Sequence, residues 1–172
     1  MNILALDLSL TATGVCHSDG STETLQTKVR GCDRLRWLRD EILRRALAVD
    51  VVVIEGYSYA SKGAAVVSIG ELGGVVRLAL HERDLPYVEI PPACRAKYMT
   101  GRGNASKDDV LQQAVFRSGR VFDDTHQADA WVLWQMALAH YRPESTLLVR
   151  VPAGNREVLA RVVWAEPSKE AA

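Results

Sequence analysis

The chain has 172 residues, 48% hydrophobic and 24% charged, which suits one domain with its own core and is unlike a disordered or collagen-like composition. No apolar run reaches the ~18 residues of a membrane-spanning helix, so a helical membrane protein is not expected. Lys and Arg number 21 and so do Asp and Glu, so any surface for a polyanion must be local.

The opening MNILALDLSL has neither a basic leader nor a small-residue cleavage site. Cys16, Cys32 and Cys94 match neither a zinc spacing nor a disulfide framework. Both features lead us to expect a cytoplasmic protein. Asn2 to Leu8 reads as a buried strand ending in Asp7, followed by strands over Thr13 to His17 and Thr22 to Val29 around the Asp19-Gly20 turn. Leu35, Leu38, Ile42 and Leu43 predict an amphipathic helix over Asp33 to Ala48. The β-branched run Val51 to Ile54 predicts a central strand that ends in Glu55.

A helix over about Ala64 to Arg83 contains Gly70, Gly73 and Gly74, each costing about 1 kcal/mol against alanine. Close approach of another backbone, the sheet or a second subunit, would offset that cost. A strand over Pro86 to Ile90 stops at Pro91-Pro92, and a helix covers about Ala93 to Met99. After the polar loop Thr100 to Ala105, Ser106 is placed to cap a helix reaching Arg117. A last long helix spans Thr125 to Tyr141, where Asp124 and Gln127 resemble a capping box. Beyond Pro143, a strand over Leu147 to Val151 and a short helix over Arg156 to Val163 are expected. This order predicts a mixed α/β sheet flanked by helices.

Four residues carry the chemistry. Asp7 and Glu55 end two strands, and carboxyl ends of neighbouring strands converge in open α/β sheets. His126 and Asp129 lie three apart and share one helix face. Each has an ordinary reading too: Asp7 as a turn former, His126 as a helix-terminus residue. Asp129, inside the apolar stretch Ala128 to Ala139, is harder to explain that way, because an unpaired buried carboxylate is costly. Carboxylates brought together repel unless cations neutralise them. Mg²⁺ or Mn²⁺ would do so, and two such ions about 3.5–4 Å apart can activate water and stabilise the leaving oxygen of a phosphodiester. Basic residues form two groups: Arg30, Arg34, Arg36, Arg39, Arg44 and Arg45, which also suit a solvated helix face, and Arg95, Lys97, Arg102 and Lys107.

The segments LALDLSLTATGV, VVVIEGYSYASKGAAVVSIGELGGV, GRGNASKDDV and HQADAWVL resemble RuvC-type Holliday junction resolvases of the RNase H-like superfamily. The most specific parts are Gly101, Gly103, Ala105 and Lys107 together with His126, Asp129 and Ala130. The resemblance covers about residues 1–142, taken as an RNase H-like nuclease domain, and leaves 143–172 as a C-terminal extension that suits a phage form. It implies an RNase H-like mixed sheet, a homodimer, and paired cleavage of a four-way DNA junction. It also implies Asp7, Glu55, Asp129 and His126 as catalytic and metal-binding residues, with two Mg²⁺ or Mn²⁺ ions per site. Lys107 and Arg102 would contact DNA. The family places an aromatic shortly after the central-strand Glu. Tyr57 and Tyr59 stand near that place, either to stack on a base or to pack on the core. Alternative readings are an RNase H-like nuclease for flaps, RNA hybrids or other branched DNA, an inactive DNA-binding module, and, more remotely, an actin-like kinase fragment.

Overall fold

The computed structural model describes residues 1–57 and 64–168, at 64–69 the backbone only. Strands β1 (Ile3–Asp7), β2 (Thr13–Cys16) and β3 (Thr22–Leu25) lead to helix α1 (Gly31–Arg45). Strand β4 (Val51–Glu55), helix α2 (Ala64–His81) and strand β5 (Tyr87–Ile90) follow. Helices α3 (Pro92–Thr100), α4 (Lys107–Ser118), α5 (Thr125–Tyr141) and α6 (Ala153–Arg156) complete the chain, with a 3₁₀ turn over Glu157–Arg161. The sheet order is β3-β2-β1-β4-β5. The first three strands form an antiparallel meander, and β4 and β5 join β1 in parallel. This is the expected mixed sheet flanked by helices.

Period-two alternation divides the core into two layers. Ile3, Ala5, Val51, Val53, Val88 and Ile90 face α3, α4 and α5. Leu4, Leu6, Val52 and Ile54 face α1 and α2. With helices on both sides, β1 and β4 are apolar at almost every position, which is why they read as unbroken apolar runs. Helix α5 is buried from Gln127 to Leu138 on every side, so it shows little amphipathic pattern.

Four local expectations are corrected. Strand β3 stops at Leu25, short of Val29. Asp124 caps α5 by accepting from the Gln127 amide at 2.9 Å, but the reciprocal half of a capping box is missing, because the Gln127 side chain turns to Asp123 and Thr22. The complete box is at α4, between Ser106 and Asp109. Residues 147–151 form no strand. Their backbone is satisfied by buried Gln135 of α5, which donates to the Leu147 carbonyl (2.9 Å) and accepts from the Val149 amide (3.0 Å). Finally, Gly73 in α2 accommodates a side chain rather than a backbone, since a Cβ there would overlap the Tyr57 hydroxyl.

The segment after Pro143 packs onto the α5 side of the core through Val151, Val158 and Val162. Asn155 donates to the Tyr98 carbonyl at 3.0 Å, and Tyr141 donates to the Ala165 carbonyl at 2.7 Å. Trp164 stacks on His140 with ring centroids 4.2 Å apart.

Candidate active site

Sheet register places the first two carboxylates. Asp7 continues the parity of Ile3 and Ala5, and Glu55 that of Val51 and Val53, so both point to the α5 side. The parallel pairing ends with Leu6 opposite Ile54, which sets Asp7 and Glu55 one step further on, at the carboxyl ends of adjacent strands. On the other flank of β1, Asp7 is paired with Gly14 of β2. A Cβ at Gly14 would overlap the backbone carbonyl of His126. The bare glycine therefore lets the first turn of α5 lie directly against the sheet. Thr24 of β3 donates to Asp124 (2.7 Å) and Thr22 donates to Gln127 (3.1 Å), which tethers the same turn to the sheet edge. The result brings His126 Nδ1 to 2.7 Å from Asp7 Oδ2. Asp129, three residues on, has no solvent exposure.

The loop between α3 and α4 places a cation. Gly101 ends α3 with φ of +84°, a left-handed conformation that favours glycine. Ser106 caps α4, and Lys107 is the first residue of that helix. Its Nζ lies 3.0 Å from Asp129 Oδ2 and 3.4 Å from Asp7 Oδ2. A second cation enters from α3. Arg95 is 4% exposed, with Nε 2.8 Å from Glu55 Oε1 and Nη1 in contact with Asp129 Oδ1. These are ion-pair contacts rather than hydrogen bonds: Glu55 Oε1, both Asp129 oxygens and Arg95 Nε and Nη1 are buried without an aligned hydrogen-bond partner among the described residues.

The three carboxyls differ in electrostatic setting. Burial acts to raise Asp7, but the hydrogen bond from His126 and the charges of Lys107 and Arg95 outweigh it and hold Asp7 below the usual range. For Glu55 burial prevails over the opposing charge of Arg95, Asp7 adds to the effect, and the carboxyl is pushed up to about 7.

Asp7, Glu55, His126 and Asp129 thus lie around one site, as strand ends and helical spacing suggested, and Lys107, expected there only from the family resemblance, reaches it too. Arg102 stands outside, exposed and 3.3 Å from Asp109. Tyr57 packs on α2, where its hydroxyl accepts from Arg77 Nη1 at 2.7 Å and the Arg77 guanidinium covers its ring at 4.5 Å. Tyr59 lies outside the described residues. In the first basic group, exposed Arg36, Arg39 and Arg44 pair with neighbouring acids, which is the solvated-face reading, whereas Arg45 is largely buried and ties α1 to Glu23 of β3. By sequence Arg95 is one member of the second basic group, and the structure makes it the innermost cation of the site. Its helix buries Cys94, Ala96, Tyr98 and Met99 as well, so no polar stripe marked it. Gly14 was also missed, although a glycine within a strand is the usual mark of a close backbone approach.

Comparison with known proteins bears on the fold. The structure superposes on Thermus thermophilus RuvC with a TM-score of 0.62 at 16% identity, covering 94% of this chain and 96% of that one. A second structure, T. thermophilus RuvC in complex with Holliday junction substrate, gives 0.64 at 17% identity, covering 87% and 99%. The fold is that of RuvC. In sequence the chain is similar to the crossover junction endodeoxyribonuclease RuvC of Anaeromyxobacter sp. (strain K), 34% identical over 91 residues, or 53% of this chain and 49% of the relative. It is likewise similar to RuvC of Ruegeria pomeroyi, 31% identical over 106 residues, or 60% and 59%. The matched segment thus spans roughly half to three-fifths of these RuvC relatives. No family model matches the chain.

Proposed function

We propose that the chain is a divalent-cation-dependent endonuclease that resolves four-way DNA junctions as a homodimer. The observation that carries this reading is the convergence of Asp7, Glu55, Asp129 and His126 at the carboxyl ends of β1 and β4, with Lys107 at the rim. The similarity to curated RuvC proteins and the junction-bound structural neighbour support the choice of substrate. Residues 1–142 are taken as the nuclease domain and 143–172 as an extension, whose Val151, Val158 and Val162 pack onto it. Bacterial cytoplasm, or that of a phage-infected cell, is the proposed setting. Among the described residues, no helix is long and apolar enough to cross a membrane.

The donor set suits Mg²⁺ or Mn²⁺: carboxylate oxygens, some of them buried without an aligned donor, and one imidazole nitrogen. By donor count, Asp7, Glu55, Asp129 and His126 would hold up to two ions, which supply charge stabilisation at the phosphodiester and a more acidic water. His126 Nδ1, bonded to Asp7, is placed to orient that carboxylate and to hold or pass a proton. Lys107, half exposed, can turn outward to a phosphate oxygen. Arg102 stands on the adjoining loop, able to add a second phosphate contact. Gly70, Gly74 and Leu78 recur at four-residue spacing on α2, and nothing among the described residues fills the space beside the two glycines. That face suits a helix of a second copy, and Leu78 is exposed on it.

Cleavage of a four-way junction, a flap and an RNA–DNA hybrid, each with Mg²⁺ or Mn²⁺, tests the reading. Paired, symmetric cuts confined to the junction are expected, and Asp7→Asn should abolish them while junction binding persists. Equal cleavage of all three substrates would point to a general branched-DNA nuclease instead.

A further inference from the structure

Two cationic side chains hold this site, and they differ in how easily they can leave. Lys107 reaches in from the rim, and its side chain is 47% exposed. An ammonium on a flexible stem can swing from Asp7 and Asp129 into water at little cost. Arg95 has no such exit. Its side chain is 5% exposed, among buried Cys94, Ala96, Tyr98 and Met99. It faces Glu55 Oε1 and Asp129 Oδ1 together. Removing it from those carboxylates would leave a buried unpaired guanidinium or would unpack α3. Among the described residues, no three Asp, Glu, His or Cys side chains are gathered closely enough to hold one ion as they stand.

We propose that Arg95 is a resident counter-cation held between Glu55 Oε1 and Asp129 Oδ1, so that divalent ions load this site in two unequal steps. The inference rests on the metal-dependent reading above. A first ion on Asp7 and Asp129 has to displace exposed Lys107 and share the Asp7 oxygen bonded to half-buried His126, but it need not move a buried cation. A second, which must draw on Glu55, competes with Arg95 at a distance where a dication and a guanidinium repel strongly in a poorly solvated site. Arg95 thus serves as a positioning residue: it keeps the carboxylates together in the metal-free protein and sets a threshold for full loading.

The test is Mn²⁺ binding to the full chain, followed by calorimetry and by the loss of the free-ion EPR signal, with no DNA present. The wild-type protein should bind one ion at least ~10-fold more tightly than the second. Arg95→Met should tighten the second step at least ~10-fold, lower the melting temperature in EDTA and recover it in Mn²⁺. Arg95→Lys, which keeps the charge on a shorter reach, should fall between. Two wild-type steps of equal affinity would overturn the proposal, as would an unchanged second step in Arg95→Met. Should Arg95→Met not fold, the wild-type ratio and Arg95→Lys decide the matter. If no protein binds Mn²⁺ at all, the metal-dependent reading itself fails, and this one with it.

Discussion

Gly14→Ala tests whether the contact between β2 and α5 assembles the site. A Cβ at that position would overlap the His126 carbonyl oxygen and carbon, both backbone atoms, so no side-chain rotation can relieve it. Relaxing to ordinary carbon–oxygen contact requires a displacement of about 1.4 Å. Strand β2 is fixed by pairing on both edges, and α5 is buried along most of its length, so the movement falls on the first turn of α5. Alanine regains about 0.5–1 kcal/mol over glycine in a strand, against an overpacking cost of 1–3 kcal/mol or more. Because the overlapped atoms are backbone, the cost lies at the upper end of that range, and we expect a net loss of about 2 kcal/mol, or roughly 4–8 °C in melting temperature for a chain of this size. Because the same turn carries His126 and Asp129, junction cleavage should fall on the order of 100-fold, beyond what the loss of folded protein explains. Urea unfolding and single-turnover cleavage at a temperature where the variant is folded measure the two effects. A variant within 0.5 kcal/mol of wild type and fully active would refute the role assigned to Gly14.

Three further outcomes follow from the same geometry. The carboxyl of Glu55 is raised to about 7 from 4.5, so between those values the folded metal-free protein binds more protons than the unfolded chain. Its stability in EDTA should therefore fall as pH rises through that window, by up to about 3 kcal/mol, and Glu55→Gln should flatten the slope; parallel wild-type and variant profiles from urea midpoints would contradict this. His126→Ala removes the 2.7 Å partner of Asp7 and should slow cleavage at least ~10-fold, more with Mn²⁺ than with Mg²⁺, since a nitrogen ligand favours manganese; unchanged rates with both metals would remove His126 from the mechanism. Asn155→Ala leaves the buried Tyr98 carbonyl without its donor and should cost about 1–2 kcal/mol in chemical unfolding; no change would mean that the C-terminal segment contributes little to the core.

The sequence alone was enough for the layered sheet and the acidic residues. Long runs such as Val51 to Ile54 admit only a strand with both faces covered, and strand parity together with helical spacing confines Asp7, Glu55, His126 and Asp129 to a few mutual arrangements. Polar caps likewise marked the starts of α4 and α5. Where the pattern had no period, the sequence was silent: residues 147–151 are apolar enough for a strand, but Gln135 takes their backbone hydrogen bonds. Only the tertiary structure decided the charge balance of the site. By sequence Arg95 is one basic residue among several, and its burial between Glu55 and Asp129 depends on α3 docking against the sheet, a contact that no local spacing encodes. Helical period and strand parity are written along the chain, but which cation answers which carboxylate is fixed only when distant elements pack.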